Sequence, residues 1–103
     1  MEGMEGLTRY YNSKDDAVRA AVELYGRHAG QTNNLVFATT RRRYKYLIVG
    51  IVSIEKNRCV AQFTYEITER KIIEKLQLPD GTTKTVVLTP RVFKLVHFRF
   101  ITN

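Results

Sequence analysis

The chain has 103 residues and a net charge of +7, from 17 Lys and Arg against 10 Asp and Glu. That length suits one domain, and 44% hydrophobic residues can build one core. One cysteine excludes a disulfide framework, and with only two histidines beside it excludes an ordinary structural zinc site; no apolar run nears the roughly 18 residues of a membrane span.

Residues 1–12 are expected to be loosely ordered. Met1-Glu2-Gly3 is nearly repeated by Met4-Glu5-Gly6, and two glycines in six residues oppose helix. This start lacks the basic and apolar regions of a signal peptide, which points to an intracellular, cytoplasmic protein. Leu7, Tyr10 and Tyr11 can still pack on the rest as a short edge strand. Residues 13–103 are expected to form a single α+β domain.

Residues 14–29 predict a helix. Ser13 suits the N-cap, and Asp16 follows at capping-box spacing. Asp15 and Asp16 place negative charge at the positive end of the helix dipole. Val18, Ala21, Val22 and Tyr25 form one apolar stripe, with Arg19, Glu23 and Arg27 on the opposite face. Arg27 and His28 suit the last turn, and Gly30 suits a left-handed cap.

The remainder predicts strands, in keeping with 28 Val, Ile and Thr residues. Leu35–Thr39 reads as a short strand and Tyr44–Ile54 as a long one. Leu47–Val52 is apolar at both parities except Gly50, so both faces are covered, or one is used for association. Lys56-Asn57 suits a turn. Cys59, Ala61, Phe63, Tyr65 and Ile67 alternate with polar residues, the pattern of a half-buried strand. Residues 68–77 fit either a strand or a short helix, and the turn that follows favours the strand. Pro79-Asp80-Gly81 is a hairpin turn joining Ile72–Leu78 to Thr82–Leu88. Pro90 breaks the chain before a last strand from Val92 to Ile101.

These elements predict one N-terminal helix packed on a curved antiparallel sheet of five to six strands. That order resembles the cystatin-like and related cone-shaped folds. Tyr46-Leu47-Ile48-Val49-Gly50 resembles the cystatin Gln-Val-Val-Ala-Gly loop over five residues, without its Gln and in the middle of a strand. The likeness is a topological analogy and carries no function.

The positive excess belongs to the strands. Residues 1–34 hold four basic and five acidic residues, net −1, whereas residues 35–103 hold 13 and five, net +8. Such a field attracts polyanions. The densest feature is Arg41-Arg42-Arg43-Tyr44-Lys45-Tyr46, placed at a turn between two strands. Arginine forks match phosphate, and tyrosines at alternate positions offer one stacking face. A solvated hairpin tip that protects a sheet edge explains the same residues without a ligand. The last strand adds Arg91, Lys94, His97 and Arg99. Arg91, His97 and Arg99 share parity and are expected on one face, with Lys94 opposite unless a bulge intervenes. His97 also fits a buried position among Phe93, Phe98 and Phe100.

No role-complete catalytic set is legible. The candidate nucleophiles are Cys59, Ser13 and Ser53, with His28 and His97 as candidate bases; Cys59 reads as a half-buried strand residue and Ser13 as a cap. Glu66, Glu69 and Glu74 read as ion-pair partners. The sequence therefore predicts a non-enzymatic module with no cofactor and no metal, which binds single-stranded or structured nucleic acid. Arg41, Arg42, Arg43, Lys45, Arg91 and Arg99 would meet phosphates, and Tyr44 and Tyr46 would stack on bases. The alternative is a protein-interaction or inhibitor module, or a homo-oligomer. It would use the doubly apolar strands, with Leu47, Val49, Ile51, Phe93 and Leu95 at the interface and an acidic protein as partner.

Overall fold

The computed structural model describes residues 10–30 and 35–101. Of the expected loose segment, residues 1–9 and with them Leu7 lie outside these. Tyr10–Tyr11 form the short edge strand β1. Helix α1 spans Lys14–Ala29. Ser13 Oγ accepts the Asp16 N–H at 3.0 Å. Gly30 closes the other end at φ 69°, its N–H donated to the Gly26 carbonyl. An L-residue there would meet the left-handed penalty that glycine avoids. On the outer face Arg19 pairs with Asp16 at 3.2 Å.

The other strands are β2 (Val36–Arg43), β3 (Tyr46–Ser53), β4 (Arg58–Glu69), β5 (Ile72–Gln77), β6 (Thr83–Leu88) and β7 (Arg91–Phe100). Five of them form an antiparallel sheet in the order β1-β7-β4-β3-β2. The expected α+β fold, one helix on an antiparallel sheet of five to six strands, is therefore present with five strands, and the expected hairpin β5–β6 forms a separate two-stranded sheet. Pro90 lacks an N–H and cannot continue a ladder through this point. The Arg70 N–H donates to the Pro90 carbonyl at 3.0 Å across the break. The hairpin therefore prolongs the β4–β7 pair as an arm, and the molecule measures 63 × 29 × 24 Å. Gly81, at φ 89°, turns the arm, and Asp80 Oδ1 accepts both the N–H and the hydroxyl of Thr82.

The core lies between α1 and one face of the sheet. Ala17 and Ala21 have no exposed surface, which lets the helix approach Val49, Ile51, Phe63 and Tyr65, themselves fully buried. Burying a side chain such as Phe63 stabilises the fold by about 1.5–3 kcal/mol. Its ring packs with Phe98 and Phe100, and Phe100 in turn stacks on His28 at 3.7 Å. The Tyr65 hydroxyl donates to the Ala17 carbonyl at 2.9 Å, which ties strand to helix. Burial, with a smaller contribution from Tyr11, pushes the Tyr65 phenol above the ordinary tyrosine range.

The apolar parity of β3 now has its reason. Leu47, Val49 and Ile51 face the helix, and Leu95 joins them from β7. The expected interface set is therefore core: Leu47, Val49, Ile51 and Leu95 are at most 4% exposed, and Phe93 packs against them. Tyr46–Gly50 lies within β3 rather than in a hairpin loop, which ends the local cystatin likeness.

Two bulges interrupt the alternation. Ile51 faces Ala61 while Val52 faces Cys59, leaving Val60 as the extra residue. Thr64 faces His97 while Tyr65 faces Leu95, leaving Val96 extra. Each bulge transfers the following side chains to the opposite face.

Candidate nucleic-acid interface

Residues paired across antiparallel strands lie on the same face, so the register sorts the cations of the five-stranded sheet. On the face away from the helix, one row runs Arg43, Tyr46, Glu66, Lys94, Tyr10. The next row is Arg41, Ile48, Thr64, His97, and the one after it Thr39, Gly50, Gln62, Arg99. Among the described elements, α1 packs against the other face.

These three rows hold Arg41, Arg43, Lys94 and Arg99 against the single carboxylate of Glu66. Lys45, from the β2–β3 turn, approaches Glu66 at 3.1 Å and lies 5.6 Å from the Tyr46 ring centre. The hydrogen bond to Glu66, and then Tyr46, hold the Lys45 ammonium above the ordinary lysine range. With Glu66 paired, the field of the face is positive. Lys94 Nζ sits 5.7 Å from the Tyr10 ring centre, and Tyr10 is 47% exposed. At 4.7–4.9 Å per strand, Tyr46 and Tyr10 stand about 14 Å apart along their row.

Gly50 keeps the centre of the face flat. A Cβ there would lie 2.9 Å from Thr39 Oγ1. The glycine thus opens a shallow floor between Arg41 on β2 and Arg99 on β7.

The expected site residues divide. Arg41, Arg43, Lys45, Tyr46 and Arg99 meet on the open face. Arg42 and Arg91 do not: each faces the helix side, Arg42 paired with Leu47 and Arg91 with Glu69. Arg41–Arg43 belong to β2 rather than to a turn, so alternation splits the triplet. Tyr44 occupies the turn at φ 58° and is 84% exposed, so it shares no strand face with Tyr46. The shared parity of Arg91, His97 and Arg99 is overturned by the Val96 bulge, which joins His97 and Arg99 to Lys94 instead. Tyr10 enters the site only through the pairing of β1 with β7, which no local pattern signals.

Arg42 and Arg91 meet again elsewhere. They line a cleft of about 480 Å³ on the helix side with Lys14, Thr40, Arg41, Leu47, Ile67 and Phe93. The candidate nucleophiles hold local structural bonds. Ser13 caps α1, Ser53 Oγ accepts the Lys56 N–H, and Cys59 Sγ donates to the Ala61 carbonyl. Among the described residues no cluster of three His, Cys, Asp or Glu side chains is placed to hold a metal, and no helix is long and apolar enough to cross a membrane. No family model matches the chain, and neither a curated protein nor a solved structure matches it.

Proposed function

We propose that the open sheet face binds single-stranded nucleic acid without catalysing a reaction. The observation that supports this is the row Arg43–Tyr46–Glu66–Lys94–Tyr10, which interleaves cations with rings on a sheet face that the helix leaves open. Arg41, Arg43, Lys94 and Arg99 neutralise phosphates, and bases stack on Tyr46 and Tyr10. Unpaired bases suit such a surface because their faces are free, whereas a duplex hides them. The test is fluorescence anisotropy with a labelled single-stranded RNA at about 50 and about 200 mM salt. Saturable binding that weakens steeply with salt is expected. Absent binding at the lower salt, or a salt slope near zero, overturns the reading.

One observation favours a second reading, that of a protein-interaction module. Ile72, Leu76, Leu78 and Leu88 are all exposed on the arm, and a lone two-stranded hairpin is marginally stable in water. An acidic protein or a second copy would cover these side chains, and the basic body would form its rim. Leu76→Lys then abolishes the association measured by light scattering and leaves RNA binding intact.

A further inference from the structure

The helix-side cleft joins two properties in one concavity. Its floor is apolar, formed by buried Leu47 and the half-buried Ile67 and Phe93. Its rim is cationic, with Lys14 from the first turn of α1, Arg42 from β2 and Arg91 from β7, while the Arg41 side chain belongs to the open face. None of the described residues that line it is acidic. The nearest carboxylate by register is Glu69, paired with Arg91 across β4 and β7 and itself exposed. The ion pairs among the described residues, Arg19–Asp16 and Lys45–Glu66, engage none of the rim cations.

The arrangement is also held in place. Arg42 Nε donates to the Tyr44 carbonyl at 3.1 Å, two residues on in the β2–β3 turn. Leu47 and Phe93 belong to or pack against the helix-side core, so the floor is part of the rigid body of the fold. Like charges gathered beside an apolar floor repel one another, and an anion placed among them removes that repulsion. A volume of about 480 Å³ lies within the range of small-molecule sites.

We propose that this cleft binds a small amphipathic anion, with one anionic head among Lys14, Arg42 and Arg91 and an apolar body on Leu47, Ile67 and Phe93. It lies on the face opposite the nucleic-acid rows and does not depend on that reading. The apolar body separates this ligand from a bare phosphate, and the anionic head separates it from a neutral hydrocarbon.

The test uses the full chain and 8-anilinonaphthalene-1-sulfonate, an anion on an aromatic body whose emission rises in apolar surroundings. One saturable site is expected. Arg42→Gln with Arg91→Gln raises its Kd about tenfold or more, as removal of charged hydrogen-bond donors should, while circular dichroism and the thermal midpoint hold. Leu76→Lys on the arm leaves the Kd unchanged. Octanoate and phenyl phosphate displace the probe, and the stronger competitor shows whether the natural body is aliphatic or aromatic. The proposal is overturned if binding survives the double substitution, if Leu76→Lys removes it, or if inorganic phosphate competes as well as either amphiphile. Phe93→Leu, which keeps an apolar floor, separates loss of the site from loss of the fold and is expected to weaken the probe by less than the double substitution.

Discussion

On one side of β3, Leu47, Val49 and Ile51 are at most 4% exposed; on the other, Tyr46, Ile48 and Val52 stay partly open. The two sides share a backbone, a twist and nearly the same hydrophobicity. What separates them is α1, which covers one side through Ala17 and Ala21 and leaves the other uncovered. A strand apolar at both parities therefore does not need two covers. One parity supplies the core, and the other supplies the floor of a surface whose rings and cations stand free.

The largest effect expected from this contrast is on stability. Phe63→Ala removes a fully buried ring from the covered side and should cost about 3–5 kcal/mol in denaturant unfolding. Tyr46→Ala, on the open side of the same sheet, should cost less than about 1 kcal/mol. Comparable losses would break the distinction between the faces.

Binding should reverse the order. Tyr46→Ala removes a stacking ring, worth about 1–3 kcal/mol per base, and should weaken RNA by roughly 5- to 150-fold in anisotropy titrations. A substitution beneath the helix that preserves the fold, such as Val49→Ile, should leave that affinity unchanged.

Tyr65→Phe sharpens the covered side. Loss of its hydroxyl bond to Ala17 should cost about 1 kcal/mol near neutral pH. The folded phenol titrates above the unfolded one, so its contribution is fully present below about pH 10 and is lost as pH rises further. Unfolding midpoints between about pH 8 and 11 should fall more steeply for the native protein than for Tyr65→Phe.

The arginine triplet gives a smaller and more discriminating test. Arg43→Gln should reduce the salt slope of RNA binding by about 0.7, the value for one phosphate contact on a single strand. Arg42→Gln, one residue away and on the helix side, should leave that slope unchanged. Equal effects would mean that the triplet acts as an unsorted charge cluster.

The smallest effect belongs to the arm. Hydrogen bonds from Thr82, first from its side chain and then from its backbone, hold the Asp80 carboxyl below the usual carboxylate range. Asp80→Ala should loosen the hairpin tip, seen as faster amide exchange at Thr82 and Thr83. The unfolding midpoint of the body should not move, because the arm adds nothing to the helix-side core.

Much of this architecture was local and hence legible in the chain. The Ser13 cap, the Gly30 cap and the 3.6-residue stripe define α1 from within eighteen residues. The Pro79-Asp80-Gly81 turn decides that residues 72–77 form a strand. The excess of cations over residues 35–103 marks the sheet as the basic part. Face, by contrast, depends on counting residues in pairs, and one extra residue reverses it. The bulge at Val96 arises where β7 must pair with β4 and also keep Leu95 and Phe98 under the helix, a demand invisible in β7 alone. The placement of Arg91 against Arg99, the separation of Arg42 from its neighbours, and the entry of Tyr10 beside Lys94 follow from such pairings. Composition, caps and turns are short-range and belong to the sequence. Which cations share a surface is set by long-range register and by the one helix that covers a single side of the sheet, and only the tertiary structure decides it.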